Sequence, residues 1–178
     1  MIAIGRGPRT VPGDERALLR DDLLACHDRI RRFAETAVAL AGAEQVAEEE
    51  IRETARALVG YFGSGLPRHV ADEENSLKPR LLALELDAVV DGAIARMCDE
   101  HGPIERLVCE GLPRWGTLIL TPGALPSLRP TLREIATDLR ERLLVHVAEE
   151  EADVFPALSR LSLADVQAIR GEMRKRRE

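Results

Sequence analysis

Four histidines constrain the fold of this chain more than any other feature, because each lies on an apolar stripe of helical period. His27 follows Leu19 and Leu23 and precedes Ile30, at the spacing of one helix face. The other histidines, one in each remaining long stripe, are His69, His101 and His146. A stripe covers about a third of a helix surface, so four scattered histidines would all fall on stripes only about one time in a hundred. The sequence therefore predicts four long helices whose histidines meet in one core.

The composition favours helix over sheet, since aromatic residues make up only 3% of the 178 residues. A formal net charge of −6 argues against nucleic acid or an anionic membrane as a partner. No apolar run approaches the roughly 20 residues of a membrane helix, and the N-terminal segment has no apolar stretch typical of a secretory signal. Three cysteines without a CxxC pair predict reduced thiols. We therefore expect a cytoplasmic protein with no membrane partner.

We expect an irregular arm over residues 1–13 and one helical domain over 14–178. The predicted helices cover about 14–41, 44–79, 87–110 and 127–155, followed by a short C-terminal helix that Ser162 and Asp165 cap. Gly63, Gly65 and Pro67 predict a kink or brief break in the second helix. Segment 111–126, rich in Gly and Pro, predicts a long irregular connection in which Trp115 either plugs one end of the bundle or binds a ligand. The fold class is all-α, an up-down four-helix bundle with a short C-terminal helix.

Three of the four histidines are followed by a glutamate at i+4, namely Glu73, Glu105 and Glu150. This separation places imidazole and carboxylate on one helix face, one turn apart, so both can reach the same point in the bundle. A carboxylate on an apolar stripe needs a counter-charge, which a cation supplies. The pattern predicts a metal site.

An internal repeat supports two similar half-sites. The segment from His69 to Leu81 aligns without gaps with the segment from His146 to Leu158, and seven of the thirteen positions are identical. The identical positions include the histidine, the i+4 glutamate and a proline ten residues after the histidine. A pseudo-twofold bundle with two metals between its halves follows from this repeat.

Two rival metal sites are less consistent with the spacing. Ferritin-like di-iron sites use Glu-x-x-His, and no histidine here has a glutamate three residues before it. Zinc rarely takes so many ligands. Cys98, one turn before His101, either borders the site or packs as a core thiol, and Tyr61 either reaches the site or packs near the kink.

The repeated H-x-x-x-E-E with its later proline, and the order of one His, an HxxxE, a His and a second HxxxE, resemble the hemerythrin-like HHE cation-binding family over about residues 16–175. The resemblance implies two iron ions with an oxo or hydroxo bridge. It implies that the four histidines are terminal ligands and that Glu73 and Glu150 are bridging carboxylates. Glu74 and Glu151 point about 100° away and are expected to be solvated or to lie outside the ligands.

Glu105 departs from the family pattern, because oxygen-carrying hemerythrins have a histidine in that place. As a ligand, Glu105 would add negative charge and favour Fe(III), which disfavours reversible oxygen carriage. The alternative is an ion pair with a surface arginine such as Arg106 or Arg31.

The resemblance and the ligand set predict a di-iron protein that binds or reacts with a small oxidant, namely O2, NO or peroxide (H2O2). The first alternative is an iron store or sensor that reports to a protein partner without catalysis. The second is a helical interaction module with a vestigial site.

Overall fold

The computed structural model describes residues 14–178, and this part of the chain consists of five helices without a strand. The predicted arm over 1–13 lies outside the described residues. The first helix, α1, is Asp14–Gly42; α2 covers residues 48–82; α3 is Ala88–Leu120; α4 is Leu125–Glu149; and α5 is Leu163–Lys175. Two shorter turns, Glu150–Val154 and Phe155–Arg160, extend α4 towards α5. The all-α prediction is confirmed.

The four long helices form an up-down bundle, with each helix packed against the next and α1 packed against α4. The core divides into two apolar clusters, one around Phe62 and Trp115 and the other around Leu81 and Leu158. Each long helix passes from one cluster to the other, and the order alternates from helix to helix. Each predicted histidine lies near the place where its helix leaves one cluster for the other. The fold therefore brings the histidines to one level of the bundle.

The second helix is continuous through Gly63–Pro67, so of the predicted kink or brief break the break is wrong. A π turn, Tyr61–Gly65, carries the helix through this region, and the N–H of Leu66 donates to the carbonyl of Tyr61. Gly65 is required because a Cβ there would lie 2.7 Å from the ring of Tyr61, which stacks on Phe33 at 4.0 Å. The glycine makes room for a side chain instead of ending the helix.

Three π turns share one sequence context, since each ends two residues before a proline. A proline has no N–H to donate and its ring crowds the carbonyl four residues earlier. A π turn widens the helix at that carbonyl. The turns are Tyr61–Gly65 before Pro67, Glu73–Leu77 before Pro79, and Glu150–Val154 before Pro156.

The third helix extends ten residues beyond its predicted end and reaches Leu120. The long irregular connection predicted over 111–126 was wrong, because only Thr121 and the 3-10 turn Pro122–Ala124 separate α3 from α4. Gly111 lies against the indole of Trp115, where a Cβ would come within 2.7 Å of the ring. Trp115 is 1% exposed and stacks on Phe62 at 5.2 Å, which confirms its packing role.

The short C-terminal helix is capped as expected. The backbone N–H of Asp165 donates to the hydroxyl of Ser162 at 3.1 Å, and that hydroxyl donates to the Asp165 carboxylate at 2.6 Å. Helix α5 packs on α1 and on the cluster that contains Leu158. Within residues 14–178, no helix is long and apolar enough to cross a membrane.

The contact between Gly111 and Trp115 generates a stability prediction. Gly111→Ala should lower the free energy of unfolding by about 1–3 kcal/mol, because the added methyl overpacks the indole. Gly116→Ala, on the same helix and with nothing within 4 Å of its added Cβ, is the matched control. It should raise the free energy of unfolding by up to about 1 kcal/mol through helix propensity. Urea denaturation measures both, and a Gly111→Ala variant as stable as Gly116→Ala would contradict this role of the glycine.

Candidate metal site

Six of the seven predicted site residues come together in the bundle core. All six are almost completely buried, with exposed fractions between 0% and 7%. They are His27, His69, Glu73, His101, His146 and Glu150. Each of the four long helices contributes one histidine. Each glutamate is the last residue of an HxxxE segment and the first residue of a π turn.

One half of the cluster joins α1, α2 and the end of α4. Nε2 of His69 lies 2.6 Å from Oε1 of Glu73, and Nε2 of His27 lies 3.2 Å from Oε2 of Glu150. The two imidazole rings are 5.1 Å apart and nearly perpendicular. These four residues each offer an atom within 4.8 Å of the others, which is the geometry of a group that could hold a metal ion.

The other half joins α3 and α4 to the same glutamates. Nε2 of His101 lies 3.1 Å from Oε2 of Glu73, and Nε2 of His146 lies 4.0 Å from Oε2 of Glu150. His101, His146 and Glu73 form a second group that could hold an ion. Glu73 therefore turns one oxygen towards each half, as a bridging carboxylate would.

The atoms that face the space between these residues lie close to one another, but none has a hydrogen bond of favourable geometry. They are the buried Nε2 atoms of three histidines and both carboxylate oxygens of two glutamates, namely His27, His69, His101, Glu73 and Glu150. Such atoms cost free energy when they are buried without compensation. Imidazole nitrogens and carboxylate oxygens are also ligands for a transition metal such as iron. The donor set therefore fits a cation, and each of these residues presents its free atoms to one shared space.

Electrostatics within the cluster drive the pKa values of the two glutamates apart. Burial opposes ionisation of Glu73, but His69 and His101 hold its pKa well below the usual range. Burial and the charge of Glu73 together raise the pKa of Glu150. Burial opposes protonation of His69 as well, yet Glu73 raises the pKa of His69 well above its usual value. In the absence of a metal, a proton on His69 therefore compensates part of the charge of Glu73.

Glu74 and Glu151, the second glutamates of the two repeats, contact histidines on other helices. Nδ1 of His101 lies 2.7 Å from Oε1 of Glu74, and Nδ1 of His27 lies 2.8 Å from Oε1 of Glu151. Arg31 also donates to Glu151 at 2.8 Å. A partner on Nδ1 fixes the ring and leaves Nε2 free for a metal. These glutamates lie outside the cluster, as expected.

Glu100 was missed by the sequence analysis. Its Oε2 lies 2.9 Å from Nδ1 of His146, so it orients that imidazole from α3. Glu100 and Cys26 occupy equivalent places, since each immediately precedes a cluster histidine, but their different residue types form no sequence repeat. Cys26 is 5% exposed and interacts with His69. Burial opposes ionisation of this thiol, but His69 and Arg29 lower its pKa to about 7.

The structure does not bring Glu105 to the cluster. Its side chain is exposed, and the neighbouring Ile104 occupies the inward position at 3% exposed. Arg31, an alternative partner considered for it, pairs with Glu151 and Asp28 instead. This geometry therefore gives no support to Glu105 as a ligand that favours Fe(III).

Cys98 and Tyr61 lie near the cluster but do not belong to it. Cys98 is partly buried and lines a cleft that also reaches His101, so it borders the cluster. Tyr61 stacks on Phe33, which supports its packing role.

Asp72 connects the cluster to the C-terminal helix. It lies between His69 and Glu73 in the chain and is 1% exposed. Arg176 donates to one of its carboxylate oxygens at 2.8 Å and Arg177 to the other at 2.6 Å. The charges of these two arginines compensate the buried carboxylate, which would otherwise be costly to desolvate.

Comparison with known proteins gave one family match that agrees with this geometry. The curated proteins and the solved structures gave no match to the chain. The model of the hemerythrin HHE cation-binding domain matches residues 18–158, a segment that contains every residue of the cluster. The chain belongs to the hemerythrin HHE cation-binding domain family.

Proposed function

We propose that this protein holds two iron ions and binds or reacts with a small oxidant, namely O2, NO or H2O2. The observation that carries the proposal is the position of Glu73, which turns one oxygen towards each of two histidine pairs. His27 and His69 would hold one ion, His101 and His146 the other, and Glu73 and Glu150 would bridge them. Oxo- or hydroxo-bridged iron supplies redox chemistry with small oxidants when it is bound.

The number of donors favours a pair of octahedral ions over zinc. Structural zinc takes about four ligands in a tetrahedron. Two octahedral ions need about twelve positions, of which the six residues and one bridging oxygen fill about ten. About two positions would remain open without Glu105, which leaves room for a small ligand. The protein holds the imidazoles in place through Glu74, Glu100 and Glu151.

An iron store or sensor is the second candidate function, and the hydrogen bonds that Arg176 and Arg177 donate to Asp72 favour it. Because Asp72 lies between two cluster residues, a shift of these residues on metal binding would also move the two arginines beyond α5. A sensor would bind the same metal without turning over an oxidant. The complete donor set argues against a vestigial site in a mere interaction module.

A cytoplasmic location is part of the proposal. It is supported by Cys26, Cys98 and Cys109, which form no disulfide in the described part of the chain. The net charge of −6 supports a small-molecule ligand over nucleic acid.

Metal analysis with matched variants tests the binuclear site. After anaerobic reconstitution with Fe(II) and exposure to air, the wild type should hold about two irons per chain, since its donors exceed the needs of one ion. Its absorption should extend from the protein band into the visible, whereas zinc would be silent. Glu73→Ala and Glu150→Ala should lose the pair. Glu74→Ala and Glu151→Ala should retain it, with affinity weakened about 10–100-fold.

The opposite ranking of these variants would assign the bridges to Glu74 and Glu151 and overturn the proposal. One iron or fewer per wild-type chain would refute the binuclear site. Protein that stays free of metal under all loading conditions would favour the interaction module.

The pH dependence of metal binding follows from the raised pKa values of His69 and His101. Protonation of these two histidines stabilises the metal-free folded state, and this contribution is fully present below their unfolded pKa of about 6.5. The contribution is lost as the pH rises through their higher pKa values in the folded state. A metal must displace these protons, so its affinity should increase with pH. The rise in melting temperature on adding Fe(II) anaerobically should be larger at about pH 8 than at about pH 6. An equal rise at both would show that the imidazoles are already neutral.

A further inference from the structure

We infer that small molecules reach the metal centre through a cleft between α2 and α3 and bind on the side of His101 and His146. This inference rests on the proposed function. The cleft has a volume of about 420 Å³ and is lined by His101. His101 is also the most exposed of the four cluster histidines, at 7%.

The side of His27 and His69 is closed by comparison. His27 is fully buried, and the ring of Phe155 stacks on its imidazole at 5.1 Å. A cavity on that side reaches Glu151 and Phe155 but is not lined by His27. His69 is 2% exposed. A molecule approaching from this side meets the phenyl ring before it meets a histidine.

The donors are also distributed unequally. Four residues converge on the side of His27 and His69, but three converge on the side of His101 and His146. Glu150 lies 3.2 Å from His27 and 4.0 Å from His146, which leaves the second side less enclosed. Glu150, the second proposed bridge, lies closer to the first side, so the ion beside His101 and His146 has more room for an outside molecule. The less crowded side and the cleft are therefore the same side.

The lining of the cleft suits a small, weakly polar molecule. Phe62, Leu66 and Val108 give it an apolar wall, which costs a diatomic gas little desolvation, and Glu74 and Asn75 add polar groups. A separate cavity beside His146 has only about 10 Å³, roughly the space of one water molecule. Glu105 belongs to the lining of the large cleft, which gives this residue a place at the access route in place of a role as ligand.

Gly102 lies in this cleft next to His101 and offers a way to block it. Apart from its chain neighbours, a Cβ at Gly102 meets only the side-chain tip of Arg106 at 3.7 Å, but Pro103 follows it and adds a steric cost to a larger residue. Gly92 is the control for side-chain size, because it lies on the same helix and its Cβ would meet only the side-chain tip of Arg96 at 3.6 Å. Gly92 does not line the cleft.

The test compares Gly102→Leu with Gly92→Leu in iron-loaded, anaerobically reduced protein. Stopped-flow absorption measures the rate of NO binding, after metal analysis has shown equal iron content. Gly102→Leu should slow binding by about tenfold or more, within the one to three decades over which on-rates vary among variants of one site. Gly92→Leu should bind at the wild-type rate. Equal rates in all three proteins would overturn the inference and leave the di-iron proposal intact, whereas absence of iron in the wild type would refute the proposal itself.

Alkylation of Cys98 gives a second test that does not depend on folding of the glycine variant. Cys98 lines the cleft, Cys109 is exposed elsewhere and Cys26 is buried. Iron-loaded Cys109→Ser protein, alkylated at Cys98 with N-ethylmaleimide, should bind NO more slowly by a similar factor. Iron-loaded Cys98→Ala protein, alkylated at Cys109, should bind at the unmodified rate. Unchanged binding after complete modification of Cys98 would overturn the inference.

Discussion

The structure depends on burying four imidazoles and two carboxylates at one level of an apolar bundle. Each of these groups loses water on folding, and the distances among them show that they compensate one another only in part. The two apolar clusters on either side must provide the stability that this polar level costs. A bound cation would compensate the buried charges and would link the four helices through its ligands. Metal binding and folding of this domain are therefore expected to be linked.

The outer contacts make the two halves of the centre unequal, although the sequence repeat makes them look alike. His27, His101 and His146 each have a carboxylate partner on Nδ1, whereas Nδ1 of His69 has no hydrogen-bond partner among the described residues. A carboxylate on the outer nitrogen makes an imidazole a stronger donor. Cys26 stands beside His69 where the pseudo-twofold relation would place a counterpart of Glu100. In the proposed two-ion centre, the electronic environments of the ions should therefore differ.

The sequence predicted the cluster well because its signal is local. Helical period places a histidine and its i+4 glutamate on one face, and the apolar stripe defines which face is inward. Contacts between helices carry no such signal, which is why Glu100 on His146 and Arg176 on Asp72 were missed. The end of α3 was mispredicted because glycine and proline usually interrupt helices. At Gly111 the glycine serves a buried indole instead, which only the packed structure reveals. Glu105 satisfied the local spacing, but Ile104 took the inward place.

The π turns take up one extra residue in each repeat. A π turn contains one residue more than the α-helical turn it replaces, and each begins at a glutamate of the cluster. Deleting one residue from Glu73–Leu77 would therefore restore an α-helical turn and leave Leu81 on the same face of the helix. The wider turn before Pro79 would be lost, so the proline ring would crowd the carbonyl four residues earlier. Both copies keep the extra residue, which agrees with their alignment without a gap.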